Sequence, residues 1–312
     1  MVQPRMLFYL LLFSTSSFLY SDDTQRAIST HQPDFFTSMG WHKKSNNKHV
    51  RKHFLENNAE AKKALDRLLQ FKALYDKNIA ISKNPQAKAV IPKIIHQIWV
   101  GPKTPPAIFK ASQESIKRLH PDWEYRLWTD ADIPGLKLYN QKYYDLTPNF
   151  GAKADILRYE LLARYGGIYL DVDFICIKPL DWLLKYDLWA VTQPLDCRGM
   201  ICNGAIGSIP KHPIIQEAVH ALAHSYDSAP GTKKSVINTV GPLHFERSCM
   251  KFLDAKDTNI IVLPAGFFFP IGFTNRKATS NLSSKKAKRK VQSSLLPETL
   301  AIHYWAGSWW EN

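Results

Sequence analysis

The chain has 312 residues, 45% of them hydrophobic and 12% aromatic, enough to bury one large core and unlike a disordered or fibrous polymer. A formal net charge of +14 raises nucleic-acid binding, but the basic residues gather in Lys43–His53, Lys62–Lys77 and Lys285–Lys290, with no zinc-finger spacing and no RNA-recognition aromatic signature. No nucleic-acid partner is therefore expected; solvated lysines, or a face that meets anionic lipid or draws in a nucleotide diphosphate, account for the charge.

Residues 1–21 read as a signal peptide or a signal-anchor: Arg5, then a short apolar run, then Ser21 and an acidic pair. The run is shorter than the ~20 residues of a comfortable transmembrane helix, which favours cleavage. Residues 22–90 read as a polar stem and a helical extension, with Ala61, Ala64, Leu65, Leu68, Leu69 and Leu74 forming a partial apolar stripe over 54–76. After Pro92 the run Ile94 to Trp99 predicts the first buried parallel strand, with His96 and Gln97 as polar intrusions. Trp99 falls at its carboxyl end, where an indole either stacks on a planar ring or packs in the core. Residues 105–117 read as a loop entering a helix, 121–130 as a second strand and turn, and 136–147 as a tyrosine-rich connection.

The stretch 151–182 carries the chemistry. Ile156, Leu157, Leu161, Leu162 and Tyr165 recur at helical spacing, Gly166–Gly167 stop the helix, and a short strand runs into Asp171–Val172–Asp173. In an extended backbone Asp171 and Asp173 point the same way. Two adjacent carboxylates repel, and a divalent cation, Mn²⁺ or Mg²⁺, removes that penalty while bridging to a ligand's phosphates. Asp155 and Arg158 share a face of the preceding helix, either as a surface ion pair or as groups in the same pocket.

Further strands are expected at 188–191, 260–263 and 267–269, helix at 213–224, and a polar loop at 273–294 that holds the sequon Asn281–Leu282–Ser283. Asn203, in the small-residue run Asn203 to Gly207, is a turn former or a donor and acceptor for sugar hydroxyls. Cys197 and Cys202 bracket a polar loop and are placed to pair in an oxidising lumen. The terminal tryptophans of 301–310 predict a packed segment that closes over a site.

The order of Asp-x-x-Arg, Gly-Gly and Asp-x-Asp resembles the sugar-binding region of family 32 glycosyltransferases. That family includes the yeast Golgi mannosyltransferase that starts outer-chain mannan, and its clan includes the clostridial glucosylating toxins. Four further segments carry the likeness: IPKIIHQIWVG at 91–101, 121–130, NGAIGSIPKHP at 203–213, and HYWAGSW at 303–309, with Thr239–Val240–Gly241–Pro242 similar to a family turn. The resemblance implies an α/β, GT-A-like nucleotide-diphospho-sugar transferase over 91–312, a Rossmann-like mixed sheet flanked by helices with an N-terminal helical extension. It implies Mn²⁺ or Mg²⁺ at Asp171 and Asp173, and catalytic duties for these with Asp155 and Arg158. It further implies a base on Trp99, ribose and sugar at Asp155 and Arg158, support from Tyr169, and donor contacts from Asn203, Gly241, His303, Ser308 and Trp310.

The function so implied is metal-dependent, retaining transfer of a hexose from a UDP- or GDP-sugar to a glycan, lipid or protein acceptor. The alternatives are a non-catalytic nucleotide-sugar or carbohydrate-binding relative, and a basic membrane-associated binding protein whose binding is salt-sensitive and indifferent to Mn²⁺. Location follows the donor: a Golgi-type lumen, delivery into a host cell, or a membrane anchor that faces the cytoplasm.

Overall fold

The computed structural model describes residues 33–228, 235–253, 259–278 and 284–307. The leader at 1–21, the sequon and the expected donor contacts Ser308 and Trp310 lie outside the described residues. The described residues from Asp34 onward cluster as one compact unit. Its centre is a six-stranded mixed sheet of order β2-β1-β3-β6-β5-β7, built from Ile94–Ile98 (β1), Glu124–Trp128 (β2), Gly167–Leu170 (β3), Leu188–Thr192 (β5), Ile201–Ser208 (β6) and Ile260–Leu263 (β7). β1 runs parallel to β2 and β3, and β5 to β7, while β6 is antiparallel to both neighbours. The carboxyl ends of β1, β3 and β5 and the start of β6 therefore share one edge. A two-stranded sheet pairs Phe174–Cys176 (β4) with Ala301–His303 (β8), setting Phe174 opposite His303. The mixed sheet flanked by helices agrees with the expected fold class.

Five longer helices matter for the site: α1 (Ala59–Lys83), α2 (Ala107–Leu119), α3 (Phe150–Tyr165), α4 (Pro213–His220) and α5 (Pro242–Met250). The expected helix at 54–76 starts and ends later, because Asn58 caps it through the Ala61 N–H at 2.8 Å. The stem and helix expected at 22–90 share the core of the sheet from Phe35 onward. Leu68, Phe71 and Tyr75 of α1 are fully buried, and Asn78 Nδ2 donates to the Ile260 carbonyl at 2.6 Å. Each such large apolar side chain stabilises the fold by about 1.5–3 kcal/mol.

Three expectations give way. In place of the late strand at 267–269, Phe267 ends a short 3-10 helix, Ala265–Phe267, and Phe268 and Phe269 follow it without strand pairing. The polar loop at 273–294 folds into a 3-10 segment and a helix, Lys285–Gln292, capped by Ser284. All four cysteines are free, so Cys197 and Cys202 are not paired. Among the described residues no helix is long and apolar enough to cross a membrane.

Two buried histidines, His96 and His212, work as neutral rings. His96 holds the Gly166 carbonyl at 2.9 Å through Nε2 and accepts from Trp128 Nε1 at 3.1 Å, tying β1 to β2 and to the end of α3. His212 caps α4 by accepting the Ile214 N–H at 3.2 Å. Burial pushes His96 and His212 down from 6.5 to about 4. The unfolded chain therefore binds more protons between those values, and the stability is complete above about pH 6.5 and lost as pH falls toward 4. Asp155 and Glu246, whose carboxyls are pushed up by burial, oppose this trend, so the test is differential. Replacing His212 by Asn keeps a capping acceptor but removes the titration. Denaturant unfolding at pH 7 and pH 5 should show the variant losing about 2 kcal/mol less than the wild type; equal losses would contradict the assignment.

Candidate active site

The shared edge of β1, β3 and β5 opens into a pocket of about 560 Å³. Its position is the one that open α/β sheets reserve for ligands. Eight of the residues singled out in the sequence line it: Trp99, Asp155, Arg158, Tyr169, Asp171, Asp173, Asn203 and His303. Gly241 does not; it is buried at the start of α5, and its neighbour Pro242 reaches the pocket.

Asp171–Val172–Asp173 is not extended as the sequence suggested. β3 ends at Leu170, the three residues form a turn, and the Phe174 N–H closes it onto the Asp171 carbonyl at 3.2 Å. Both carboxylates still face the pocket, each held by a different part of the chain. Asp171 is anchored from α3 and β3. Tyr169 donates its hydroxyl to Oδ1 at 2.8 Å, and Arg158 Nη1 lies 3.2 Å from the same oxygen. Gln97 Nε2 donates to the Asp171 backbone carbonyl at 3.2 Å, and the Asp171 N–H donates to the Gly204 carbonyl at 2.8 Å.

Asp173 is anchored from the far end of the chain. His303 Nε2 lies 3.0 Å from Oδ1, the Ala306 N–H donates to Oδ2 at 2.7 Å, and the Tyr304 N–H donates to its carbonyl at 3.1 Å. Burial works to raise the Asp173 carboxyl, but His303 and the Ala306 N–H outweigh it and hold it below its usual range.

Asp155 and Arg158 form no surface pair. They meet at 2.7 Å with side chains 9% and 5% exposed. Arg158 is spent on protein acceptors: Asp155, Asp171 and the Asn203 carbonyl at 2.6 Å, with its guanidinium 4.3 Å over the Tyr169 ring. Asn203, buried within β6, donates from Nδ2 to Asp155 at 2.9 Å and to the Tyr159 hydroxyl at 3.1 Å. Burial and the nearby Asp171 charge push the Asp155 carboxyl up against the pull of Arg158 and Asn203. The network's evident work is to fix Asp171. Trp99 is half-buried, with Nε1 donated to the Lys103 carbonyl at 2.9 Å and its ring stacked on Phe109 at 5.9 Å.

Asp171, Asp173 and His303 offer three ligand atoms that all lie within 4.8 Å of one another. Two carboxylates and an imidazole suit a hard-to-intermediate divalent ion, and Mn²⁺ accepts this oxygen–nitrogen mixture well. Nδ1 of His303 is buried without a hydrogen-bond partner. The residues therefore fit the metal that the sequence pattern implied.

Sequence reasoning passed over Tyr159, and it noted Gln97 as a polar residue inside an apolar strand and Gly204 within a small-residue run without giving either a role. Gly204 is required because a Cβ there would sit 2.3 Å from Asp171 Oδ2.

Residues 106–189 match the model of the glycosyltransferase sugar-binding region containing the DXD motif. The chain carries that region. Two curated relatives are inositol phosphoceramide mannosyltransferases of Schizosaccharomyces pombe. Number 2 is 36% identical over 159 residues, 49% of this chain and 45% of that protein. Number 1 is 33% identical over 189 residues, 56% of each. The chain thus spans about half the length of the curated relatives it matches. A solved structure, the PaToxG glycosyltransferase, covers 76% of this chain and 85% of its own at 18% identity, with a TM-score of 0.44.

Two outcomes follow. Arg158→Met leaves the Asp155 and Asp171 charges without their buried partner, and unfolding should show a loss of about 3–5 kcal/mol; a loss below 1 kcal/mol would contradict the network. Gly204→Ala should displace Asp171 and weaken Mn²⁺ binding, read by calorimetry, by about tenfold or more, a cost of about 1.4 kcal/mol. Unchanged Mn²⁺ affinity would contradict the placement of Asp171.

Proposed function

We propose that the protein is a metal-dependent glycosyltransferase that moves a hexose, mannose foremost, from a nucleotide-diphosphate sugar to an acceptor hydroxyl. The observation that carries this is the acidic pair with His303, three ligand atoms within 4.8 Å at the edge of the sheet, inside the DXD-bearing region. Asp171, Asp173 and His303 hold the divalent ion, Mn²⁺ or Mg²⁺. When bound, that ion supplies charge neutralisation for the departing diphosphate.

This chain's own residues do the rest. Tyr169 and Arg158 keep Asp171 aimed at the pocket, and the 304–306 backbone keeps Asp173 there. Trp99 offers its indole to the base. Asp155 and Asn203 present polar atoms to the sugar hydroxyls, with Arg158 behind them. The bond to the diphosphate oxygen breaks, the acceptor oxygen attacks the anomeric carbon from the face the diphosphate leaves, within the ion pair, and the acceptor proton leaves with the nucleotide diphosphate or to solvent. Retention of configuration is part of the proposal and predicts an α-linked product from an α-linked donor, read by NMR.

The yeast relatives are named for mannosyl transfer to an inositol phosphoceramide. The proposal extends to a lipid acceptor and to a secretory-route membrane as the place of action.

The test is hydrolysis of a panel of UDP- and GDP-sugars by the full chain, with and without Mn²⁺, beside Asp173→Asn. Metal-dependent release from one donor, reduced about 100-fold or more in the variant, is expected. No release, together with no metal-linked binding of UDP or GDP, would contradict the proposal.

A further inference from the structure

Trp305 carries a strained backbone directly beside the acidic pair. Among the described residues four that are not glycine take the left-handed conformation: Lys137, Arg198, Lys211 and Trp305, at φ 48°, 61°, 58° and 54°. The three cationic residues are exposed, whereas Trp305 is buried and lines the pocket. A bulky side chain in this region is an outlier, and such strain persists only where surrounding contacts hold it.

The contacts that hold it are made by the indole. Nε1 donates to the Ile271 carbonyl at 2.9 Å, and the ring packs on Phe269 and Phe273, each at 5.4 Å. What the strain achieves lies in the backbone on either side. The Tyr304 N–H reaches the Asp173 carbonyl, and the Ala306 N–H reaches Asp173 Oδ2. In an extended chain two such amides stand about 6.6 Å apart and serve different partners. The turn at Trp305 brings both onto one residue.

The same indole steadies His303. A ligating imidazole ordinarily gives its second nitrogen to a carboxylate, a carbonyl or water. Among the described residues Nδ1 of His303 has no such partner. Its ring is enclosed instead by Phe174, Phe269 and Trp305, at 4.6, 5.1 and 4.4 Å, with the Trp305 ring nearly perpendicular at 82°. One side chain therefore acts on two of the three residues that offer ligand atoms.

We propose that Trp305 is a positioning residue for the metal site: its anchored indole holds a left-handed turn that clamps Asp173, and the same ring fixes the plane of His303. The clamp exists without an ion, while its consequence for Mn²⁺ rests on the metal role proposed above. Strain stored in a clamp of this kind sets the carboxylate and the imidazole before any metal arrives, so less ordering remains to be done on binding.

The experiment compares wild type with Trp305→Gly, Trp305→Ala and Ala306→Pro, with circular dichroism confirming that each is folded. Trp305→Gly and Trp305→Ala both lose the indole, but only glycine takes the left-handed turn without a steric penalty. Two readouts are taken: hydrogen exchange of the Tyr304 and Ala306 amides in the metal-free protein, and Mn²⁺ affinity by calorimetry. Both Trp305 variants should exchange faster and bind Mn²⁺ more weakly than wild type. Trp305→Gly should exceed Trp305→Ala about fivefold in protection and in affinity. Packing alone predicts no such order, since glycine then adds only chain entropy. Ala306 is exposed, so Ala306→Pro leaves the core intact while it removes one donor and disfavours the turn before it. It should weaken Mn²⁺ binding about tenfold, and it decides the matter if the Trp305 variants unfold. Trp305→Gly no better than Trp305→Ala, or Mn²⁺ binding unchanged in Ala306→Pro, would overturn the proposal. A wild type that binds no Mn²⁺ while the amide order holds sinks the metal role and leaves the clamp standing. Mn²⁺ bound by wild type without that order sinks only the clamp.

Discussion

Two carboxylates held at short range are the constraint around which the rest of this structure is arranged. Like charges at the edge of a sheet separate unless something fixes them, and here each is fixed from a different direction. Asp171 is held by Tyr169 and Arg158, and Asp173 by His303 and the Ala306 N–H. The repulsion that remains is what a divalent ion would relieve, which is the physical basis of the metal role proposed above.

The supports explain features far from the site. Arg158 and Asp155 are buried on α3 because Asp171 needs a cation that water cannot screen, and Asn203 and Tyr159 complete the bonds that a buried pair requires. The β4–β8 pairing sets His303 beside Asp173. Without that sheet the second carboxylate would lose its partners. Gly204 leaves space for Asp171, and neutral His96 locks β1 against the end of α3.

Much of this was legible in the order of residues. The Asp-x-x-Arg, Gly-Gly, Asp-x-Asp order located the pocket, and the apolar runs at 94–98, 188–191 and 260–263 located strands. What was hidden depended on contacts between distant segments. The Asp-x-Asp backbone turns rather than extends because Phe174 leaves β3's sheet to pair with His303. The pattern of α1 left open whether it packs on the catalytic domain or on a partner, and the buried Leu68, Phe71 and Tyr75 place it in the core. Taken alone, Asp155 and Arg158 looked more like a surface pair, since spacing along a helix says nothing about what covers it.

The central claim is that Asp171, Asp173 and His303 jointly hold the metal that receives the diphosphate. A crystal structure grown with Mn²⁺ and a nucleoside diphosphate tests it most directly. An anomalous manganese peak within about 2.0–2.4 Å of oxygens of Asp171 and Asp173 and a ring nitrogen of His303, with a phosphate oxygen completing the shell, is the result this account predicts. A manganese peak elsewhere, or a diphosphate bound in the pocket away from these three side chains, would contradict it.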